Sequence, residues 1–236
     1  NELGSLFNVA AQPGGVVTAN GNLALSANND YKFTGNVQGR DLSFKNGAQR
    51  ISNINLASAI NATQQRIELN GLRLDAFGGN FAGDAAVQNM ERVELNGQLR
   101  NFDLEAVARP FLNKPLGYSG VVSGPVTAQG NLKAPGATGF VANANLTVAP
   151  GHGRGLPVSG RINARYNGAS DSAQIADSFL SLPHSRVNVA GDLGRQLNVQ
   201  FRSTDLNDFL PAMQATSDKP VTELPVSVAG ASTRAS

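Results

Sequence analysis

The two histidines, His152 and His184, are the first residues to consider for acid–base chemistry, because histidine titrates near neutral pH. His152 lies in Gly151-His152-Gly153-Arg154-Gly155, a glycine-rich stretch that could hold an anion. That stretch lacks the Lys-Ser or Lys-Thr ending of a phosphate-binding loop and introduces no helical pattern. His184 follows Pro183 and has no Asp or Glu close in sequence. We therefore interpret both histidines as loop or turn residues.

Carboxylates recur in pairs, which would suit a carbohydrate-active enzyme with two acids flanking the scissile bond. The pairs are Glu91 with Glu94, Asp171 with Asp177, and Asp205 with Asp208. None of them reappears at the equivalent position with a partner Arg or Lys, and Asp205 can be explained as a helix cap. We expect no catalytic residue, no cofactor and no metal site, and we predict that the chain is not an enzyme.

Composition excludes several classes of protein. Charged residues make up 15% of the chain, against roughly 25% in an average soluble protein. A net charge of +2 from scattered Lys and Arg does not form the basic surface that nucleic-acid binding requires. The absence of cysteine excludes disulfides and thiolate metal sites, and is compatible with an oxidising compartment. No run of 18 apolar residues is present, and the first residues do not form a signal peptide.

An internal repeat organises the whole chain. The segment Val126-Thr127-Ala128-Gln129-Gly130-Asn131-Leu132 repeats six of the seven residues of Val17-Thr18-Ala19-Asn20-Gly21-Asn22-Leu23. Shorter matches continue at similar offsets, including Gly83-Asp84 with Gly191-Asp192 and Asp103-Leu104 with Asp205-Leu206. Self-similarity at a fixed period is typical of repeat architectures. The sequence therefore predicts repeats of about 105 residues.

The repeats read as short strands with one apolar face. Apolar or small residues alternate with polar ones, as in Val17-Thr18-Ala19-Asn20-Gly21-Asn22-Leu23, and this period of two indicates a strand with one buried face. The same alternation recurs in residues 31–37, 81–87, 93–99, 140–148, 187–193 and 197–201. Asn46-Gly47 and Asn167-Gly168 mark turns. Glycines also fall on the apolar face and predict mid-strand bends, namely Gly21, Gly83, Gly97, Gly130 and Gly191.

Each repeat is predicted to close with a short helical turn. Asp103 and Asp205 are potential N-caps ahead of apolar residues at helical spacing, and a proline then limits elongation. We expect these apolar residues to cover one side or end of the sheet; they are Leu104, Val107, Phe111, Leu206, Phe209, Leu210 and Met213. The predicted organisation is the end of a preceding repeat (1–14), repeat one (15–116), repeat two (117–216), then a linker and the start of a further repeat (217–236).

The order of these features resembles the TamB/AsmA-like family of bacterial envelope proteins. The similarity rests on short glycine-punctuated strands, the recurring V-x-x-x-G opening, the leucine-rich stretch from Leu180 to Gly191, and the closing Asp-Leu turn. The resemblance implies an all-β fold: an elongated, curved antiparallel sheet (a β-taco or repeating β-groove). It also implies a periplasmic protein, anchored in the inner membrane outside this fragment, that carries phospholipid between the inner and outer membranes and supports outer-membrane protein assembly.

The candidate site is the alternating apolar face, which would line the groove and contact acyl chains. Its predicted members are Val17, Leu23, Leu25, Phe33, Leu56, Phe81, Val87, Leu95, Leu132, Phe140, Leu146, Ile162, Val189 and Phe201. Alternation specifies a buried face and not what buries it. A sealed sandwich core therefore stays open as an alternative, and with it a β-solenoid adhesin or secreted passenger domain whose function lies on outer loops.

The partners expected from this interpretation are phospholipid, an outer-membrane assembly protein implied by the resemblance, and adjacent repeats of the same chain. Nucleic acid is not among them. Open sheet ends promote association unless a neighbouring repeat covers them. We therefore expect the fragment to associate end to end or to be capped by its own terminal segments.

Overall fold

The computed structural model describes residues 12–26, 30–46, 49–112, 114–135, 138–193 and 195–216. Thirteen strands lie in these ranges: β1 Gln12–Leu25, β2 Tyr31–Asn46, β3 Gln49–Thr63, β4 Arg66–Ala76, β5 Gly79–Gln88, β6 Arg92–Asp103, β7 Tyr118–Asn131, β8 Phe140–Pro150, β9 Leu156–Pro157, β10 Ser159–Asn167, β11 Ser172–Ser181, β12 Ser185–Leu193 and β13 Gln196–Ser203.

The strands form one sheet in chain order, and each main strand pairs antiparallel with the next. The short strand β9 lies off this path and pairs parallel with the start of β7, through Tyr118 opposite Leu156. The sheet is open and curled, and it does not close into a barrel. The prediction of an all-β, curved antiparallel sheet is confirmed.

Each predicted repeat contributes six strands to the main path and ends in a helical turn. The first turn consists of helix α1 Leu104–Ala108 and 3-10 helix η1 Arg109–Phe111. The second consists of 3-10 helix η2 Leu206–Phe209 and helix α2 Leu210–Thr216. The repeat boundaries stay a prediction. Strand β1 begins before the boundary at residue 15, and the segment 217–236 and residues 1–11 lie outside the described residues.

Local capping explains why the helical turns start where they do. The side chain of Asp103 accepts a hydrogen bond from the backbone N–H of Ala106 at 2.8 Å. Asp205 accepts one from the N–H of Asn207 at 2.9 Å. These bonds satisfy backbone donors that a helix start leaves free, so both residues are N-caps as predicted.

Several β-bulges interrupt the register between neighbouring strands. A register shift adjoins Gly83 in its pairing with β4 and Gly191 in its pairing with β11. Register runs through Gly21, Gly97 and Gly130 without a shift, so no bulge lies at these three glycines. Shifts occur where two residues of one strand face one residue of its neighbour. These two-residue bulges are Arg40-Asp41 in β2, Ser52-Asn53 in β3, Asn70-Gly71 in β4, Arg100-Asn101 in β6 and Ala176-Asp177 in β11.

Three of these bulges share the same stabilising contact. The second bulge residue has a positive φ, and its backbone N–H donates a hydrogen bond to the side chain of the single residue opposite. Asp41 donates to Asn55 Oδ1 at 3.2 Å, Gly71 to Asp84 Oδ1 at 2.8 Å, and Asn101 to Ser123 Oγ at 2.9 Å. The bulges with this contact therefore recur on every second strand of the first half, namely β2, β4 and β6. Because a bulge bends its strand and increases its twist, this series curls the sheet.

Candidate functional site

Strand pairing brings the alternating apolar residues into rows that run across the sheet. Residues directly opposite each other in an antiparallel pair lie on the same face. One such row passes from Leu56 to Leu74, Phe81 and Leu99 through consecutive pairs. Another passes from Leu23 to Phe33, Ala62, Ile67, Val87, Val93, Gly130 and Phe140. We call this surface the apolar face.

Thirteen of the fourteen predicted site residues lie in strands, at positions that this register assigns to the apolar face. In the second half, Leu146 is opposite Ile162, and Val189 is opposite Val199. Leu132 is the exception, because β7 ends at Asn131 and Leu132 lies in the following turn, 38% exposed. The remaining members are Val17, Leu25, Leu95 and Phe201, each paired with a neighbouring strand.

Aromatic rings on the apolar face lie over glycines of the neighbouring strand. A Cβ added at Gly97 would be 2.3 Å from ring atoms of Phe81, and one at Gly130 would be 2.4 Å from the ring of Phe140. At Gly21 the nearest ring atom, in Phe33, would be 2.9 Å away. Gly97 and Gly130 are therefore explained by the close approach of a ring, an arrangement known to compensate for glycine in sheets, whereas backbone atoms of Thr34 and Gly35 lie nearest to Gly21.

Burial on the apolar face is greatest in the middle of the sheet. Ile54, Leu72, Ala76, Phe81 and Phe102 form a cluster in which each residue is at most 9% exposed. Toward the ends the face is uncovered, with exposures of 61% for Leu23, 73% for Leu25, 53% for Val199 and 59% for Phe201. Among the described residues, no large side chain falls below 2% exposure. A second layer packed against the whole face would bury such side chains, so the described sheet does not form a sealed sandwich.

The helical turns cover only part of the apolar face. Val107 of α1 packs against the buried cluster in the middle of the sheet. The Phe209 ring of η2 meets the Phe201 ring edge to face, with centroids 6.1 Å apart. The side chain of Phe111 lies outside the described residues. Both turns therefore cap one side of the sheet and leave most of its length without cover.

The opposite face is polar. A row of polar residues runs from Thr127 through Asn143 and Arg165 to Gln174. These residues also line a shallow cavity of about 390 Å³. No Asp or Glu lines this cavity, so it offers neither a pair of acids nor a carboxylate metal ligand.

His184 has an acidic partner that sequence distance concealed. Asp208, which is 3% exposed, accepts a hydrogen bond from the His184 backbone N–H at 2.7 Å, and its other carboxylate oxygen lies 3.4 Å from His184 Nδ1. The Tyr118 hydroxyl donates to the Asp208 carbonyl at 2.8 Å. Burial, with a smaller contribution from Asp208, raises the pKa of Tyr118. These contacts fasten η2 to the β11–β12 turn and to β7, which is a structural role.

The other sequence candidates for chemistry also have structural surroundings. Hydrogen bonds from Lys133 and Asn131 lower the pKa of the Glu91 carboxyl, which links the β5–β6 turn to the end of β7. Asp171 accepts a hydrogen bond from Tyr166 at 3.3 Å, and His152 is exposed. Within the described ranges, no three His, Cys, Asp or Glu residues lie close enough to hold a metal ion.

No helix in the described part of the chain has the length and hydrophobicity needed to cross a membrane. A family model described as "TamB, N-terminal domain" matches residues 18–222. The match includes twelve of the thirteen strands completely and all but the first residues of β1. Among curated proteins and among solved structures, none matches the chain.

Proposed function

The chain belongs to the family of the TamB N-terminal domain, and from that premise we propose that its apolar face is a track for phospholipid acyl chains. The parent chain is then a TamB-family envelope protein that moves phospholipid between the inner and outer membranes. In this proposal the domain catalyses no reaction and gives acyl chains an apolar surface along which to travel.

The observation that carries the proposal is the apolar face that continues from strand to strand across a sheet that does not close. Twelve strands in sequence, spaced about 4.8 Å apart, extend over roughly 53 Å. One hydrocarbon leaflet is only about 15 Å thick. The apolar face is thus several times longer than one leaflet is thick, which favours a track over a pocket for a single ligand. Uncovered apolar surface of this kind is typical of protein, membrane or ligand contacts.

The surroundings of the acidic residues support a role without catalysis. Asp103 and Asp205 cap helical turns, and Asp84 accepts a hydrogen bond from the N–H of the bulge residue Gly71. Asp208 accepts a hydrogen bond that holds η2 against the β11–β12 turn, and Glu91 forms an ion pair with Lys133. Catalytic residues normally depart from such local structural roles. We therefore propose that this domain is not an enzyme.

The location and partners belong to the same proposal. A track between two membranes has to cross the space between them, so we place the domain in the periplasm, with the anchor of the parent chain in the inner membrane. Adjacent repeats would extend the sheet at its end strands. An outer-membrane assembly protein would bind the end of the parent chain that lies nearer the outer membrane. The exposed apolar residues of β1 and β13, such as Leu23 and Phe201, fit such extension.

The test compares two neighbouring residues of β8 that lie on opposite faces. Leu146→Asp places a charge on the apolar face, whereas Thr147→Asp places the same charge on the polar face. We expect phospholipid to copurify with the unmodified chain and with the Thr147→Asp variant, and to be lost from Leu146→Asp, as measured by mass spectrometry of organic extracts. Equal lipid content in both variants, with both folded by circular dichroism, would contradict the proposal.

A further inference from the structure

A chamber lies at the rim of the sheet, between the first helical turn and the ends of β3, β4 and β5. Its volume is about 820 Å³. We call it the rim chamber; its lining residues come from Ile51–Asn53, from the β4–β5 turn at Asp75–Asn80, and from Ala106, Arg109, Pro110 and Leu112. This volume lies within the range of small-molecule sites, about 300–1,000 Å³.

One wall of the rim chamber continues the apolar face. Ala76 belongs to the buried cluster in the middle of the sheet, and Ile51 and Phe77 pack against that cluster. Pro110 and Leu112 contribute apolar surface from the opposite, helical side. The apolar side of the rim chamber therefore adjoins the buried cluster of the apolar face.

The polar wall presents one cation and one anion. Arg109 and Asp75 are both exposed, and neither side chain has a hydrogen bond or ion pair to another described residue. Arg109 is the single cation and Asp75 the single carboxylate among the described lining residues. A guanidinium binds phosphate through two parallel hydrogen bonds. A carboxylate accepts hydrogen bonds from an ammonium group. The pair is therefore complementary to a ligand that carries both charges.

The turn that forms one side of the rim chamber has a strained backbone. Phe77 has φ 52° and Gly78 has φ 75°. Positive φ at both central residues is what a two-residue type I′ hairpin turn requires. Asn is favoured at the first of these positions, and a bulky side chain is rare there. Strained residues of this kind are concentrated at functional sites. Asn53, across the rim chamber, also has a positive φ of 60°.

We propose that the rim chamber binds the head group of a zwitterionic phospholipid, with its phosphate on Arg109, its ammonium on Asp75 and its acyl chains on the apolar face. The inference rests on the proposed function, because it names where the head group of the same lipid would be held. An anionic lipid without an ammonium group would gain affinity from Arg109 but would have no group to bind Asp75.

The experiment measures binding of three probes by isothermal titration calorimetry. They are dihexanoylphosphatidylethanolamine, dihexanoylphosphatidylglycerol and the soluble head group glycerophosphoethanolamine. We expect Arg109→Gln to weaken the binding of both lipids about tenfold, since it removes charged hydrogen bonds to phosphate. We expect Asp75→Asn to weaken the binding of the phosphatidylethanolamine about fivefold to tenfold and to leave the binding of the phosphatidylglycerol unchanged. The soluble head group should bind much more weakly than either lipid.

Matched controls are two exposed residues of the second half, outside the rim chamber. Arg165→Gln and Asp177→Asn make the same chemical changes on β10 and β11, and we expect them to leave all three affinities unchanged. Equal weakening by Arg109→Gln and Arg165→Gln, or no weakening by either, would overturn the inference. Binding of the soluble head group as tight as that of the lipids would also overturn it, because a free phosphate ester would then be the ligand.

The inference and the proposed function can fail separately. Loss of lipid binding in Leu146→Asp together with no effect of Arg109→Gln would leave the acyl-chain track standing and remove the head-group site. An unchanged lipid affinity in Leu146→Asp, with a tenfold loss in Arg109→Gln, would remove the track and leave the head-group site standing.

Discussion

The middle of the apolar face and its two ends share one sequence pattern but differ in burial. Phe81 in β5 is 6% exposed, whereas Phe201 in β13 is 59% exposed. Leu72 in β4 is 6% exposed, and Leu23 in β1 is 61% exposed. In the middle, Val107 of α1 and side chains from strands on both sides pack against the buried cluster, while β1 and β13 are the outermost strands of the described sheet. Alternation therefore assigns a residue to a face, and neighbouring elements decide whether that face is covered.

The largest expected effect comes from removing a ring in the middle of the sheet. Phe81→Ala should lower the free energy of unfolding by about 3–5 kcal/mol, because it empties a buried position. Phe201→Ala at the end should cost less than about 1 kcal/mol, because more than half of that side chain is already in water. Urea denaturation followed by circular dichroism measures both. Equal losses at the two positions would remove the distinction between middle and ends.

The second effect comes from filling the space that a glycine leaves for a ring. Gly97→Ala should cost about 1–3 kcal/mol, because the added Cβ would lie 2.3 Å from the Phe81 ring. The neighbouring Asn96→Ala on the polar face should change stability by about 0.5 kcal/mol or less. Combining Gly97→Ala with Phe81→Ala should cost less than the two changes added, since the ring that clashes is gone. Strict additivity in urea denaturation would refute this explanation of the glycine.

A smaller effect is expected at the bulges that curl the sheet. Asp84→Ala removes the acceptor for the Gly71 N–H and should cost about 1 kcal/mol. Glu94→Ala, on the same face of the next strand, removes no hydrogen bond of the described contacts and serves as the control. Thermal unfolding of both variants gives the comparison. If Asp84→Ala is as stable as the control, the side-chain bond is not what stabilises this bulge.

The smallest effect is electrostatic and lies at an exposed turn. Hydrogen bonds from Lys133 and Asn131 hold the pKa of Glu91 below its usual value. A carboxyl with a lowered pKa in the folded state stabilises the protein above its unfolded pKa, and this contribution is lost as pH falls through the folded pKa. Lys133→Ala should therefore raise the Glu91 pKa and flatten the acid side of the stability profile. Carbon-detected NMR titration of Glu91 measures the change, and an unaltered pKa would exclude the Lys133 contact as its cause.

The sequence carried enough information to predict the strands, the apolar face and the two capped turns, because these depend on short-range patterns. Alternation over a few residues defines a strand face, and Asp103 and Asp205 each bond a backbone N–H two or three positions ahead. The bulges were not predicted because they depend on pairing between strands. Asp41 and Asn101 are residue types that tolerate positive φ, which was a usable signal, but their partners Asn55 and Ser123 lie 14 and 22 positions away.

The roles of the glycines and of the rim chamber also needed the structure. A glycine on the apolar face is compatible with a bend or with a ring lying above it, and only the register places Phe140 beside Gly130. Arg109 and Asp75 are 34 positions apart and carried no shared motif. The contact of His184 with Asp208 similarly joins residues 24 positions apart. Long-range contacts of this kind leave no periodic signal in a single sequence.

The central claim, that the apolar face contacts acyl chains, is tested most directly by photocrosslinking along β8. A photoreactive amino acid is placed in turn at each position from Ala142 to Val148, and bound phospholipid is identified by mass spectrometry. The account predicts labelling with a period of two: lipid attached from 142, 144 and 146, which are half-buried on the apolar face, and none from 143, 145 and 147 on the polar face. Position 148 should also stay unlabelled, because Val148 is only 3% exposed. Labelling without that period, or from the polar positions alone, would contradict it.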